Sequence, residues 1–282
     1  MTISTIANFA SAITKNGQDL VISKPVPSNG VANIPHSLWA GAGFPGGVAG
    51  TYGTTGKANG RVLTDASTGG VPYRNAPSGQ MYLTHAGMMP GATTCLGTAY
   101  LVDRIADVAI DHAEATGSIT GCTATSRLPA ASADADACQI FVYVTVGLSA
   151  ASNTFTLTYT NSAGTGSQVT ANIVTVASAV ANRSVNTGMF VQLATGDTGV
   201  RSVDAITAVS GAGTGTLCVA LVRVLARIPL PLNLTVIERD YLAEMPGPKA
   251  IYDDTCFDWI LVPTGAAASG TVMNASIRLA SG

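Results

Sequence analysis

Apolar and polar residues alternate strictly over residues 154–160, where Phe155, Leu157 and Tyr159 stand between threonines. Successive side chains of a strand point to opposite faces, so this period of two predicts a strand with one buried, aromatic face. The β-branched threonines then cover the other, solvated face. A Gly-rich turn follows, and residues 168–176 return as a second strand. The pattern therefore predicts a core-forming hairpin.

From about residue 96 onward, short apolar runs are separated by connections rich in Gly, Ser, Ala and Asp. Strands of this length between turn signals are typical of an antiparallel jelly roll or β-sandwich, so we expect a mainly β fold. Residues 101–111 also fit a helical stripe, and a strand followed by a loop is the favoured interpretation there. Together with a short strand at 20–23, the predicted strands are 97–104, 140–146, 154–160, 168–176, 189–193, 200–209, 215–227, 233–239, 256–262 and 270–279.

An apolar stripe of helical period opens the chain, with Ile3, Ile6 and Ile13 on one side together with two alanines. The stripe predicts an N-terminal helix over residues 1–16 that ends at Gly17. Since so short a helix is marginal on its own, it must dock on its own domain or on a neighbouring subunit. The three isoleucines are therefore candidate interface residues.

The next segment, up to residue 95, is so rich in proline and glycine that we expect no long elements there. Aromatic residues such as Trp39 and Phe44 are expected to anchor a long irregular arm. Because such a stretch is unusual inside one domain, we expect it to pack across neighbours, which makes both aromatics interface candidates. The predicted division is an N-terminal helix and arm in residues 1–95 and a jelly-roll or β-sandwich domain in residues 96–282.

The low fraction of charged residues adds information about the surface of the protein. Charged residues make up 11% of the chain and the formal net charge is −2, which gives no electrostatic reason to expect nucleic acid or an anionic membrane as a partner. Such a chain is either a β protein covered by Ser and Thr or one whose surface is largely buried by other subunits. We favour the second interpretation, because interface cores are depleted in charge.

The five cysteines are widely spaced and form no C-x-x-C pair. This spacing argues against a zinc site and against a disulfide framework, and fits a chain made in a reducing cytoplasm. The chain shows neither the basic and apolar regions of a signal peptide nor an apolar run of about 18 residues, so neither secretion nor a membrane span is expected.

Residue types that serve in enzymes occur here without the spacing that catalysis needs. Residues 53–57 resemble part of a phosphate loop, but the flanking glycine and hydroxyl residue are missing. His36, His85 and His112 accompany no G-x-S-x-G motif, and each is interpreted as a packing or hydrogen-bonding residue. No catalytic, cofactor or metal site is predicted, and an enzyme is not expected.

Two groups of charged residues are considered as candidate sites. Asp253, Asp254 and Asp258 lack the ligand spacing of a calcium loop and are interpreted as a solvated turn before a strand. Asp197 and Arg201 lie in a Gly-rich turn, where we expect them to pair with each other or with a neighbouring subunit. They are therefore interface candidates too, since a charge pair buried at a contact fixes its register.

Residues 157–167 and 193–203 resemble a recurrent family of tailed-bacteriophage and prophage proteins. Residues 37–39 and 100–104 are similar to the same family, so the resemblance covers most of the chain from about residue 37 to 262. It implies a virion structural protein associated with the head or the tail. It carries over no catalytic residues.

The resemblance and the low charge together lead us to expect a capsid decoration (cement) protein. Such a protein binds the lattice of the major capsid protein, here as a homotrimer, and is assembled into the virion in the host bacterial cytoplasm. One alternative is a tail, neck or fibre-base protein. Another is a carbohydrate-binding module for host attachment, in which exposed Trp39, Tyr52 and Tyr73 stack on sugar rings.

Overall fold

The structure is a computed structural model. It describes residues 5–46, 55–76, 79–111, 116–125, 127–128, 137–148, 153–175, 185–210, 214–241 and 249–281. Within these residues the chain forms one α-helix, α1 (Ile6–Asn16), two short 3-10 helices (Lys57–Asn59 and Thr93–Cys95) and 17 strands. No helix in the described ranges is long and apolar enough to cross a membrane.

The strands, in chain order, are β1 (Gln18–Pro25), β2 (His36–Ser37), β3 (Arg61–Val62), β4 (Met81–Pro90), β5 (Gly97–Asp111), β6 (Gly117–Ser118), β7 (Cys138–Val146), β8 (Asn153–Asn161), β9 (Gln168–Val169), β10 (Ile173–Thr175), β11 (Gly188–Phe190), β12 (Val200–Ser210), β13 (Thr216–Leu230), β14 (Ile237–Asp240), β15 (Lys249–Ile251), β16 (Phe257–Pro263) and β17 (Val272–Ser281).

These strands form three sheets, and every pairing between them is antiparallel. Sheet A has the order β1-β17-β4-β14, and β15 pairs with β4 beside β14. Sheet B has the order β11-β7-β13-β5-β16-β2, and β3 also pairs with β5. Sheet C has the order β10-β8-β12-β6, and β9 also pairs with β8.

One face of sheet B packs against both other sheets. In β7, Ile140 and Val142 join the core shared with sheet C, whereas Phe141 belongs to a cluster on the opposite face. In β16, Trp259 joins the core shared with sheet A, whereas Ile260 belongs to the same cluster as Phe141. Sheets A and C therefore cover different parts of one face of sheet B. The prediction of a mainly β, sandwich-like fold is confirmed.

Strand β5 contributes to both cores. Leu101 packs in the core shared with sheet A, and Ile105 and Val108 pack in the core shared with sheet C. Between these positions the pairing with β13 shifts register and leaves Ile105 without a partner in that strand, which is a β-bulge. The inserted residue changes the alternation and produces the spacing that looks helical in the sequence. The loop predicted after residue 104 is wrong, because the strand continues to Asp111.

The hairpin predicted from the alternation is confirmed in its first strand. Phe155, Leu157 and Tyr159 are at most 4% exposed and pack in the core between sheets B and C. The return over residues 168–176 forms two short strands, β9 and β10, and both pair with β8. Along its other edge β8 pairs with β12.

The N-terminal third of the chain is more regular than its composition suggests. Strand β4 has ten residues, so the expectation of no long elements before residue 95 is wrong. Its Gly87 fits a close approach between strands, because a Cβ there would lie 3.0 Å from the Ser276 hydroxyl of the neighbouring strand. Both β1 and β4 pair with β17. Sheet A thus combines strands from both sides of the boundary predicted between residues 95 and 96.

Helix α1 is capped at both ends. The Thr5 hydroxyl accepts a hydrogen bond from the Asn8 backbone N–H at 3.1 Å, and the Gly17 N–H donates to the Ile13 carbonyl at 3.1 Å. A Cβ at position 17 would lie 2.3 Å from that carbonyl oxygen, so glycine is required for the direct turn into β1. The helix packs against β17 on the outer face of sheet A.

Candidate functional site

A buried network of charged side chains is centred on Arg104 in β5. Its guanidinium contacts Asp107 at 2.8 Å and Asp258 at 3.4 Å, and each of the three side chains is 1% exposed. The same group donates to the Tyr143 hydroxyl and lies 4.7 Å from the centre of the Trp39 ring. We call these five residues the Arg104 network. It joins β5, β7 and β16 with the segment after β2.

A second buried charge group lies on the other face of the same strand. Asp103 contacts the guanidinium groups of Arg127 and Arg223 and accepts a hydrogen bond from the Cys256 N–H at 3.1 Å. The Thr255 hydroxyl donates to the same carboxylate at 3.4 Å. Adjacent residues of β5 therefore anchor charge groups on opposite faces of sheet B, next to the bulge.

The environment of each carboxylate in the Arg104 network sets its ionisation. Burial alone raises the pKa of Asp107, but the Arg104 and Arg61 guanidiniums outweigh it and lower that pKa. Burial raises the pKa of Asp258, against the opposing effects of Arg104 and Lys24. Burial also lowers the pKa of the Lys24 amine. The three charged side chains at the centre of the network are almost inaccessible to solvent. Their ion pairs therefore connect β5 and β16 inside the fold, where loss of one partner leaves a buried charge.

His36 in β2 is a fully buried histidine. It is 0% exposed, and neither ring nitrogen has a hydrogen-bond partner among the residues that the structure describes. Burial lowers its pKa from 6.5 to about 4. The folded state therefore holds His36 neutral at pH values where the unfolded chain binds a proton.

We expect this histidine to make the fold sensitive to mild acid. The folded-state pKa lies below the unfolded value, so stability is full above about pH 6.5 and falls as the pH drops toward 4. Between pH 7 and pH 5 the loss is about 2 kcal/mol. Urea unfolding at both pH values measures it. His36→Phe keeps a ring and removes the titration, so an unchanged loss in this variant would contradict the prediction.

The cysteines are all buried and free of disulfides. Burial raises the pKa of the Cys218 thiol to about 12, and it also raises the pKa values of Cys122 and Cys256. A raised thiol pKa keeps the sulfur protonated and unreactive. In the described parts of the chain, no group of three or more His, Cys, Asp or Glu side chains is placed to hold a metal ion.

Most of the exposed large apolar side chains of the described chain lie in sheet A or in segments beside its edges. Leu232, Leu234 and Val236 are 58%, 67% and 50% exposed. They lie in the segment that leads into the edge strand β14, and we call them the β14 margin. The Leu234 N–H donates to the Pro90 carbonyl of β4 at 2.9 Å, so this segment continues along the edge of sheet A.

A second apolar group lies toward the opposite edge of the same sheet, with Val21 in the edge strand β1 and Val272 in the neighbouring strand β17. Val21, Phe44 and Val272 are 63%, 58% and 42% exposed, and we call them the β1 margin. Two backbone hydrogen bonds of 2.7 and 2.8 Å join Phe44 to Ser23 of β1. Phe44 therefore extends sheet A by one residue beyond β1. Six of the nine exposed large apolar residues of the described chain belong to the two margins.

The outer face of sheet A carries charged side chains beside α1. Arg278 contacts Asp19 at 2.6 Å, and His85 contacts Glu238 at 3.3 Å. Ile13 of α1 lines a small pocket there together with Thr84, His85, Asp240 and Arg278. These charges lie close to one another, and Glu238 is in the same row across the sheet as Val21.

The candidate interface residues have separate locations. Ile3 and the side chain of Ile6 lie outside the described residues. Ile13, in α1, lines the small pocket beside sheet A. Phe44 lies in the β1 margin. Trp39 is 0% exposed, so its expected availability at an interface is wrong. It fills the space beside Arg104, and a Cβ at Gly69 would lie 3.1 Å from its ring.

Asp197 lies in the turn before β12, and Arg201 lies at the start of that strand. Asp197 accepts hydrogen bonds from the Tyr159 hydroxyl at 2.6 Å and from the Asn161 amide at 2.8 Å. Arg201 is 7% exposed, and its Nε donates to the Ser162 carbonyl at 3.4 Å. Both side chains therefore hold the turn against β8.

Two other sequence-based interpretations also change. Asp258 was expected in a solvated turn, but it is buried, because it lies in β16, where it pairs with Val102 and its side chain contacts Arg104. Tyr73 is half-buried, and its hydroxyl donates to the Tyr252 carbonyl at 2.8 Å. Tyr52 and His112 lie outside the described residues.

Within the β14 margin, Leu234 and Val236 were predicted only as part of a strand at 233–239, and Leu232 lies just before that strand. The alternation of Leu232, Leu234 and Val236 with polar residues was the available signal, but such alternation predicts that the apolar side chains are buried, and here all three are exposed.

No protein-family model, curated protein or solved structure matches the chain.

Leu234 combines high exposure with a strained backbone. Its φ is +53°, a left-handed conformation that costs a leucine roughly 1–2 kcal/mol and that asparagine adopts more easily. We expect Leu234→Asn to raise the free energy of unfolding by about 1 kcal/mol, measured by urea unfolding. Leu232→Asn is the matched control, since Leu232 is similarly exposed without a positive φ. Equal stability of the two variants would contradict the strain.

Proposed function

We propose that the chain is a structural component of a tailed-bacteriophage virion that acts by burying surface, without catalysis. Within the virion, the proposal is a capsid decoration (cement) protein that binds the lattice of the major capsid protein as a homotrimer. A jelly-roll connectivity of the sandwich belongs to the same proposal. The role is located in the particle, after assembly in the host bacterial cytoplasm.

The single observation that carries the proposal is the concentration of exposed apolar side chains along sheet A, which has six of the nine exposed large apolar residues of the described chain. Monomeric proteins rarely expose contiguous apolar patches of more than a few hundred Å², and larger ones mark contacts with other proteins. Several of the few charged residues are used inside the fold. Lys24, Asp103, Arg104, Arg223 and Asp258 are each at most 3% exposed. The resemblance of residues 157–167 and 193–203 to phage structural proteins supplies the virion context.

The copy number of the chain in purified particles tests this proposal. Isotope-labelled peptides of the chain and of the major capsid protein are quantified together by mass spectrometry. A decoration protein is expected at hundreds of copies per particle, in a fixed ratio to the capsid protein. A dozen copies or fewer would replace the decoration role by the tail, neck or fibre-base alternative. Absence of the chain from the particles would contradict a virion role altogether.

The carbohydrate-binding alternative has lost its main support. It required Trp39 to be exposed, and that side chain is 0% exposed. Stacking on sugar rings needs an accessible aromatic face. We therefore do not carry this alternative further.

A further inference from the structure

The strand pairings of sheet B form a closed ring. Strand β2 pairs with β16 at one end of the strand order, and on its other side His36 forms an antiparallel bridge with Thr187, the residue before β11. The Gly188 N–H also donates to the Pro35 carbonyl at 2.8 Å. Because β11 is the strand at the other end of the order, the six strands close into a small barrel.

The interior of this barrel is a packed core. It contains the cluster of Phe141, Val222 and Ile260, which lies on the face of sheet B away from sheets A and C. The Arg104 network lies on the same side, because Arg104 donates to the hydroxyl of Tyr143, a member of that cluster. Side chains fill the inside of a barrel of this size, so parting two of its strands exposes this core to water.

Strand β2 closes the barrel over a short length. It has two residues, whereas β5 and β13 have 15 each. Besides the bond from Gly188, the Ser37 N–H donates to the Asn186 carbonyl at 2.9 Å. We call the pairings of β2 with β16 and with residues 186–188 the β2 seam. Regions with few pairings open at a lower free energy than the centre of a sheet, so the barrel opens most easily at the β2 seam.

His36 lies in the middle of the β2 seam, and its ring is enclosed by uncharged residues. It pairs with Leu261 of β16 and with Thr187 before β11. On the segments that cover the seam, a Cβ at Gly30 would lie 3.5 Å from Nδ1 of His36 and 3.2 Å from Cβ of Ala267. None of these four neighbours titrates, and no side chain of the described residues gives either ring nitrogen a hydrogen bond. An imidazolium here has neither a counter-charge nor an acceptor, so it is stable only where water reaches it.

We propose that β2 is an acid-sensitive latch: protonation of His36 releases its pairings with β16 and with residues 186–188, and the barrel opens at the β2 seam while its other strands stay paired. The open latch exposes the imidazolium to water. Trp39 follows shortly after β2 and lies beside Arg104, so opening of the latch also loosens the packing around the Arg104 network. The acid sensitivity of His36 thus acts first at one seam of the fold, whatever role the chain has in a particle.

Amide hydrogen exchange of the purified full chain at pH 7 and pH 5 tests the latch, after correction for the intrinsic exchange rate at each pH. Peptides that cover residues 31–39 and 186–190 report on the seam, and peptides that cover 100–109 and 217–224 report on the centre of the barrel. If the seam opens locally, its protection at pH 7 is expected to be at least about tenfold below that of the centre. The pKa of His36 is about 4 in the closed fold against 6.5 when exposed, so seam protection is expected to fall roughly twentyfold between pH 7 and pH 5.

Two histidine variants assign the effect to one ring. His36→Phe keeps an aromatic ring that cannot titrate, and its seam is expected to exchange equally at the two pH values. His85→Gln removes a histidine on sheet A that contacts Glu238, and it is expected to keep the twentyfold effect at the seam.

Three results would overturn the latch. Equal protection of the seam and the centre in the wild-type chain would mean that the barrel opens only as a whole, and this comparison needs no variant. Seam protection that does not change with pH would mean that His36 does not control the seam. A pH effect that persists in His36→Phe, or that disappears in His85→Gln, would assign it to another group.

Discussion

Replacement of Arg104 by alanine is expected to lower the free energy of unfolding by about 4 kcal/mol, because breaking a buried ion pair leaves an uncompensated charge. Arg104 contacts both Asp107 and Asp258, and all three side chains are 1% exposed. Its removal leaves two buried carboxylates with fewer partners. Urea unfolding monitored by tryptophan fluorescence measures the loss, since Trp39 and Trp259 are both buried nearby.

An exposed ion pair provides the control for this prediction. Arg278 contacts Asp19 at 2.6 Å, but their side chains are 51% and 68% exposed. Exposed pairs contribute about 0–1 kcal/mol, so Arg278→Ala is expected to change stability by that amount at most. If both alanine variants lose the same free energy, the Arg104 network does not clamp the strands.

Truncation of Leu157 to alanine is expected to cost about 3 kcal/mol, because it removes buried methyl groups and leaves a cavity in the core between sheets B and C. Leu157 is 0% exposed and packs between Phe155 and Tyr159 on the inner face of β8. Since sheet C is held to sheet B through this core, local opening of β8 is expected to increase as well. Urea unfolding and amide hydrogen exchange measure the two effects.

The next residue along the strand is the matched control. Thr158 points to the outer face of β8 and is half-buried, so Thr158→Ala is expected to cost about 0.5 kcal/mol or less. A large loss at Thr158 together with a small loss at Leu157 would mean that the two faces of β8 are reversed.

Local alternation allowed the sequence to predict most strands of the sandwich. Residues 154–160 alternate strictly, and the inward face of β8 follows from this pattern alone. The pattern was misleading in β5, where the bulge at Ile105 shifts the period. It was also insufficient in β4, because proline and glycine nearby suggested an irregular arm. Alternation is a local property, so it identifies strands and not the sheet to which they belong.

The candidate site was harder to predict, because it depends on contacts between distant parts of the chain. Arg104 and Asp258 are 154 residues apart in the sequence, and only the pairing of β5 with β16 brings them together. The margins have the same origin. Phe44 and Val272 come close through β1 and β17, while Leu234 lies at the other edge of the sheet through its hydrogen bond to β4.

The most direct test of the central claim is amide hydrogen exchange of the chain in purified particles compared with the free chain. If the outer face of sheet A is buried by assembly, peptides that cover residues 18–25 and 231–240 are expected to exchange more slowly in the particle. Peptides that cover residues 168–175, on sheet C, serve as the internal reference. Equal exchange of the sheet A peptides in the two states would contradict assembly through this surface.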